Sequence, residues 1–248
     1  MSPPELLEVL DAAAEAVRTA LDDLSDWGLA NTRPGQYQSD LAADAAAVEV
    51  LVGAGLGVLS EESGLTEGDR DLLAVLDPVD GSTNASRGLP WFATSICVLD
   101  EEGPLAAVVV NQATGEHFDA VRGEGARRNG APTGPTDCKA LADALVGLTG
   151  SPSVRLGWRQ VRALGAAALD LCAVACGHLD AYLDCSANSH GPWDYLGGML
   201  VCREAGAVVA DAHDRDLVAR DPDAKRAPVA AATSELLDEA LAARARLD

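Results

Sequence analysis

The sequence predicts an α+β protein in which helices come first, a mostly antiparallel sheet follows, and an alternating α/β unit closes the chain. Three observations predict it. Apolar residues recur at helical spacing near the start, and short apolar runs broken by Gly, Pro, Asp and Asn fill the middle. After residue 140, strand-like and helix-like segments alternate. No long linker, low-complexity tract or repeat interrupts the chain, so two tightly packed subdomains are expected, 1–140 and 141–248.

Taken in order, Leu6, Leu10, Val17, Leu21 and Leu24 share one face of a helix over 5–24, with acids opposite. A second, Ala-rich helix follows Asp40. Strands are predicted over 56–60, 72–76, 93–99, 105–111 and 116–121, with Gly103-Pro104 turning a hairpin. Then come a strand over 144–149, a helix over 161–177, a strand over 179–184, a helix over 193–205 and a strand over 207–210. A last strand over 228–233 leads to a helix capped by Ser234 and running to Leu247.

Composition bounds the function. The 248 residues hold 18 Lys+Arg against 39 Asp+Glu, a net charge of -21 that disfavours binding by phosphate neutralisation. Neither a nucleic-acid partner nor a membrane surface is expected. The hydrophobic fraction of 48% and mean hydropathy of +0.06 are too high for a disordered acidic chain. No apolar run approaches the roughly 18 residues of a membrane span, and the acidic N-terminus is unlike a signal peptide. The six cysteines are scattered without a C-x-x-C pair and read as small buried hydrophobes in a reducing compartment. A cytoplasmic location is therefore expected.

The chemistry concentrates in Asp77-Pro78-Val79-Asp80-Gly81-Ser82-Thr83-Asn84, directly after an apolar strand. Proline and glycine make the chain turn there, so both acids can face the same side; an ordinary surface turn would carry the same residues. Glu61-Glu62-Ser63-Gly64 ends the preceding strand, and Pro192-Trp193-Asp194 opens a helix, where the aspartate would also serve as a plain cap. Four carboxylates at one locus repel by about 4 kcal/mol per pair at 4 Å and an effective dielectric near 20. Such a cluster calls for cations, and an all-oxygen donor set selects Mg²⁺, Mn²⁺ or Ca²⁺ over zinc.

The string D-P-V-D-G-S-T-N resembles the D-P-[IVL]-D-G-[ST]-x-N signature of the inositol monophosphatase family, metal-dependent sugar phosphatases. Its seven specified positions, two of them degenerate, arise by chance in fewer than roughly one chain of this length in 10⁵. E-E-S-G upstream, W-D at 193–194, the G-x-A-A-L-D-L-x-x-V-A-x-G helix at 165–177 and the segment 115–130 follow in the family's order. The resemblance implies a layered α-β-α-β-α fold and a Mg²⁺-dependent phosphomonoesterase using metal-activated water, with two or three Mg²⁺ per site and Mn²⁺ as a substitute. It implies a small phosphorylated metabolite as substrate, inositol 1-phosphate first, and a homodimer. Histidinol phosphate, fructose 1,6-bisphosphate and 3′-phosphoadenosine 5′-phosphate are alternatives, and a non-catalytic regulatory or assembly protein on this fold is the rival from another class.

Carried over by position, the resemblance makes Glu61, Asp77, Asp80, Asp194 and the Val79 carbonyl metal ligands. It gives Ser82 the orientation of the attacking water. Gly81 and Ser82 amides would meet the phosphate, and Gly165, Ala166 and Ala167 would line the polyol side. This chain departs from the family in two places. The helical T-x-x-D is replaced by Tyr37-Gln38-Ser39-Asp40, so Asp40, with Asp44 second, is expected at an outer metal, and the upstream lysine is missing. The acid usually seven residues before the W-D aspartate is Ala187, in a longer 184–194 loop where Asp184 is expected to take over substrate binding. His190 lies on the same loop and could touch substrate, although a loop histidine is more often incidental; Arg127-Arg128 could meet a phosphate but read first as a solvated turn, and Cys185 as a packing residue.

Overall fold

A computed structural model describes residues 1–66, 71–186 and 188–247. The chain opens with α1 (Pro3–Asp22) and α2 (Gln38–Gly53), then β1 (Gly57–Ser60), β2 (Gly64–Leu65), β3 (Leu73–Asp80) and the short α3 (Ser82–Ser86). It continues through β4 (Ala93–Asp100), β5 (Gly103–Asn111), β6 (His117–Val121), β7 (Gly125–Arg128) and β8 (Ala131–Pro132). The second half comprises β9 (Leu145–Thr149), β10 (Gln160–Arg162), α4 (Ala167–Ala175), β11 (Ala181–Asp184), α5 (Pro192–Ala205), β12 (Val208–Asp211), β13 (Pro228–Ala231) and α6 (Ser234–Arg244).

Eight strands form one sheet in the order β2-β1-β3-β4-β5-β6-β7-β8, antiparallel throughout except where β1 runs parallel to β3. Five form the second, β10-β9-β11-β13-β12. The middle strands of the first sheet are buried on both faces, which explains why they read as continuous apolar runs. Their side chains still alternate. Leu73, Val75, Cys97, Leu99, Ala107 and Val109 pack toward α4 and α5, while Ala74, Leu76, Ile96, Val98, Ala106 and Val108 pack toward α1 and α2. The second sheet covers the far side of α4 and α5, and α6 closes its outer face. The layers are thus α-β-α-β-α, as expected.

Three local expectations are corrected. The strand before the motif does not stop at residue 76: β3 runs on to Asp80 through an irregularity. The helix expected over 161–177 begins only at Ala167, because Gly165 adopts a left-handed φ of 86° and Gln160–Arg162 pairs with β9 as an edge strand. The last helix is capped by Thr233 rather than Ser234; its hydroxyl accepts the Leu236 amide at 3.3 Å.

The central helices sit close to each other and to the sheet. A Cβ on Gly197 would lie 2.6 Å from Ser95 Oγ, and one on Gly198 would lie 2.7 Å from Leu171 Cβ and 2.8 Å from the Ala168 carbonyl. Gly198→Ala should therefore destabilise the protein by about 1–3 kcal/mol, the usual cost of overpacking. The lowered midpoint in urea should contrast with Gly53→Ala at the exposed end of α2, where an added Cβ meets nothing within 4 Å. Equal midpoints for the two variants would refute the packing argument. One cluster of buried apolar residues runs from Leu59 to Ala230 across both sheets, so we propose that the subdomains 1–140 and 141–248 unfold as one cooperative unit.

Candidate metal centre

From Asp77 to Asp80 β3 advances three residues while its partner β4 moves only two, from Ser95 to Ala93. In a regular strand, residues three apart face opposite sides of the sheet; one extra residue turns the second acid onto the side of the first. Pro78 falls in this irregularity, where the missing amide costs no ladder bond, and Thr94 Oγ1 donates to its carbonyl at 2.9 Å. Gly81 follows with a φ of 89°, and a Cβ there would lie 3.0 Å from the Gly165 carbonyl and 3.1 Å from that of Trp91. Only glycine permits the turn and the close approach together.

Asp194 reaches the same place from the start of α5. Ligand oxygens of Asp77, Asp80 and Asp194 all lie within 4.8 Å of one another. Each aspartate has one oxygen fixed by a backbone amide: Val79 donates to Asp77 at 3.1 Å, Ala168 to Asp80 at 2.7 Å, and Gly191 to Asp194 at 2.6 Å. Asp194 is therefore both a helix cap and a member of the cluster. The second oxygen of each carries no hydrogen bond among the described residues. Three oriented hard-oxygen donors, two of them buried, fit a divalent cation such as Mg²⁺.

The electrostatics agree with that fit. Burial, then the neighbouring acids, hold the Asp77 and Asp80 carboxyls well above their ordinary values. Burial also raises Asp194, opposed by His190 and Lys225. Glu61 stands beside the cluster and is pushed up to about 8 by burial and by the charges of Asp194 and Glu62. Asp40, on the cleft wall, rises to about 6 through burial. Such groups stabilise the folded chain while protonated. Without a cation, stability should fall as pH rises from about 4, the unfolded carboxyl value, through about 6 and 8. Asp211 works in the other sense only at lower pH: against its burial, bonds from Arg215 and the Ala227 and His213 amides hold it at about 2. Protein in EDTA should accordingly melt at lower temperature at pH 8.5 than at pH 6, and millimolar Mg²⁺ should raise Tm most at the higher pH. Identical Tm with EDTA and Mg²⁺ at both pH values would count against a shared cation site.

The cleft above these acids encloses about 480 Å³, with Asp40, Glu61, Val79, Ser82 and Trp193 in its lining. Asp44 is elsewhere engaged, accepting from Ser60 Oγ at 2.5 Å, so of the two helix acids it is Asp40 that faces the cleft. The loop before α2 folds over the Glu61-Glu62 pair: Arg33 Nη2 donates to Glu62 at 2.5 Å and Nη1 to the Glu61 carbonyl at 3.2 Å, with Gln36 also on Glu62. Glu62 is thereby occupied, and only Glu61 is left to join the aspartates. Gly165, exposed, and Ala166, buried, pack against the Gly81 turn, and the buried Ala167 follows them at the start of α4.

Asp184, expected to meet substrate, is turned inward in the structure. It is fully buried, with Oδ1 accepting the Ser186 amide at 2.7 Å and Oδ2 bonded to His190 Nδ1 at 2.6 Å. Burial opposes its ionisation, yet the His190 bond and charge and the Ser186 bonds hold it below its ordinary value. Arg244 of α6 donates to the Asp184 carbonyl at 2.6 Å and to that of Ser186 at 2.9 Å, so the 184–194 loop is braced from the C-terminus. Ala187 lies outside the described residues. His190, expected to be incidental, is a buried ion-pair partner whose charge bears on Asp80 and Asp194. Asp170, the aspartate of the 165–177 pattern, is a further buried acid to which the sequence assigns no role: Trp91 Nε1 donates to its Oδ1 at 3.0 Å, its Oδ2 has no partner, and burial raises it to about 7.

The layered α-β-α-β-α fold, with a carboxylate cluster at the end of a bulged strand, is the arrangement that the sequence resemblance implies. The sequence matches the Inositol monophosphatase family over residues 42–247, and the chain belongs to that family. It is 35% identical over 205 residues to Nus factor SuhB of Escherichia coli (strain K12), covering 73% of this chain and 75% of that one. It is 38% identical over 170 residues to Nus factor SuhB of Pasteurella multocida (strain Pm70), a match spanning 62% of each chain. In structure it is similar to the inositol monophosphatase from Anabaena (Nostoc) sp. PCC 7120, at a TM-score of 0.80 and 26% identity over 99% of this chain and 97% of that one. No helix among the described residues is long and apolar enough to cross a membrane. Nothing in these relatives supports the expected absence of a nucleic-acid partner.

Proposed function

We propose that this protein is a Mg²⁺-dependent phosphomonoesterase of a small phosphorylated metabolite, with inositol 1-phosphate the first substrate to test. The convergence of Asp77, Asp80 and Asp194 carries the reading. These three, with Glu61 and the Val79 carbonyl, would hold two Mg²⁺, and Asp40 would serve an outer third; Mn²⁺ suits the same donors. When bound, the ions neutralise phosphate charge and acidify water. Gly81 and Ser82 amides offer N–H donors to the phosphoryl oxygens, and the Ser82 hydroxyl orients the attacking water. Water oxygen bonds to phosphorus as the ester P–O bond breaks, and the departing alkoxide takes a proton, giving the alcohol and orthophosphate. The segment 165–167 lines the side that holds the polyol. All six cysteines are free, which suits a reducing cytoplasm.

Phosphate release from inositol 1-phosphate, histidinol phosphate, fructose 1,6-bisphosphate and 3′-phosphoadenosine 5′-phosphate, with Mg²⁺ and with EDTA, tests the reading. Release from at least one ester, abolished by EDTA, is expected. A folded protein that binds Mg²⁺ yet hydrolyses none favours the second reading, a regulatory or assembly protein, which the name Nus factor carried by relatives makes worth testing.

A further inference from the structure

The chain has only two lysines, Lys139 and Lys225. Lys139 is at the surface, paired with Glu235 at 2.9 Å. Lys225 is on the wall of the metal-centre cleft. The other cation in that wall, Arg33, is consumed by Glu62 and the Glu61 carbonyl. Lys225 is half-buried, and among the described residues its ammonium makes no hydrogen bond or ion pair, although Asp223 lines the same cleft. It rests instead over the Trp193 ring, 4.9 Å from the centroid.

That perch is rigid. The ring occupies the space a Cβ on Gly191 would need, 2.6 Å away, and it packs against the central apolar cluster. A cation on an aromatic face keeps its charge and leaves its N–H donors uncommitted. Had Lys225 served only to offset the acids below it, an ion pair with one of them would be the expected arrangement. Its charge does reach Asp194, the residue next to Trp193. Lys225 thus stands beside Asp194 in the cleft that Ser82 also lines; with the Gly81 and Ser82 amides assigned to the transferred phosphoryl, its uncommitted donors are left for the remainder of the substrate. A neutral polyol gives an ammonium little there; a second anionic group gives it a charge-assisted bond.

Resting on the phosphomonoesterase reading, we propose that Lys225 on its Trp193 platform is an anion subsite that selects phosphate esters bearing a second anionic group, a phosphate or a carboxylate. Two pairs of esters separate the sources: fructose 1,6-bisphosphate against fructose 1-phosphate, and 2-phosphoglycerate against glycerol 2-phosphate. In Mg²⁺ the wild-type enzyme should favour the dianionic-plus member of at least one pair in kcat/KM by about tenfold, the scale of one charge-assisted hydrogen bond. Lys225→Met should collapse that ratio toward one, mainly through KM, and Lys225→Arg should retain it. Rising ionic strength should weaken it. The pair that shows the preference names the second group. No wild-type preference in either pair, or a ratio untouched in Lys225→Met, overturns the proposal. Should no ester be hydrolysed, the phosphatase reading fails separately. Calorimetric affinities of the same four esters with Mg²⁺ then decide: tighter binding of the second anion, lost in Lys225→Met, upholds the subsite, and equal affinities overturn it.

Discussion

Asp194→Asn is expected to fold and to lose at least about 10²-fold in turnover, the scale of removing one electrostatic contributor from an active site. Asparagine can accept the Gly191 amide as aspartate does, at 2.6 Å, so α5 keeps its start. What disappears is one negative charge from three acids whose oxygens lie within 4.8 Å. Mutual repulsion in the metal-free protein falls with it, because Asp194 raises Asp77, Asp80 and Glu61 alike. The variant should therefore melt higher than wild type in EDTA and gain less from Mg²⁺. A destabilised core would lower both activity and Tm; this variant should lower only the activity. A folded Asp194→Asn protein with wild-type kcat and Mg²⁺ response would remove Asp194 from the cation site.

The order of elements and the motif cluster were legible because they depend on local pattern. Ala93–Asp100 and Gly103–Asn111 read as strands from their apolar runs, and the D-P-V-D-G-S-T-N string marked the turn. The way Asp77 and Asp80 come to one side was only half legible. A turn was expected, and a register change against β4 does the work, which depends on a partner strand sixteen residues away (Thr94 to Pro78). The surroundings of Asp184 were illegible for a similar reason. Nothing in D-C-S-A-N-S-H-G shows that His190 folds back onto Asp184, or that Arg244, sixty residues on, secures the loop from inside. Lys225 and Trp193 were equally out of reach, since a cation over an aromatic ring leaves no spacing in the sequence. Local chemistry was readable; pairings made by folding were not.

Ser82→Ala should lower kcat by about 10²–10⁴-fold, the usual worth of proton-transfer assistance, with little change in KM. Two hydroxyls follow Asp80, and the structure distinguishes them. Ser82 lines the cleft, and its Oγ has no hydrogen-bond partner among the described residues. The Thr83 side chain is exposed and engaged with the Tyr37 hydroxyl at 3.3 Å. Thr83→Ala is therefore expected to keep kcat within about threefold, since a surface hydroxyl bond contributes about 1 kcal/mol or less. Ser82→Thr should recover most of the loss, because it restores the hydroxyl at the same Cβ. Steady-state kinetics on whichever ester the wild-type protein hydrolyses would read all three variants. If Ser82→Ala turned over at the wild-type rate while Asp194→Asn did not, the cation site would stand and water would have to be oriented by another group. A loss in Ser82→Ala confined to KM would instead make Ser82 a substrate contact.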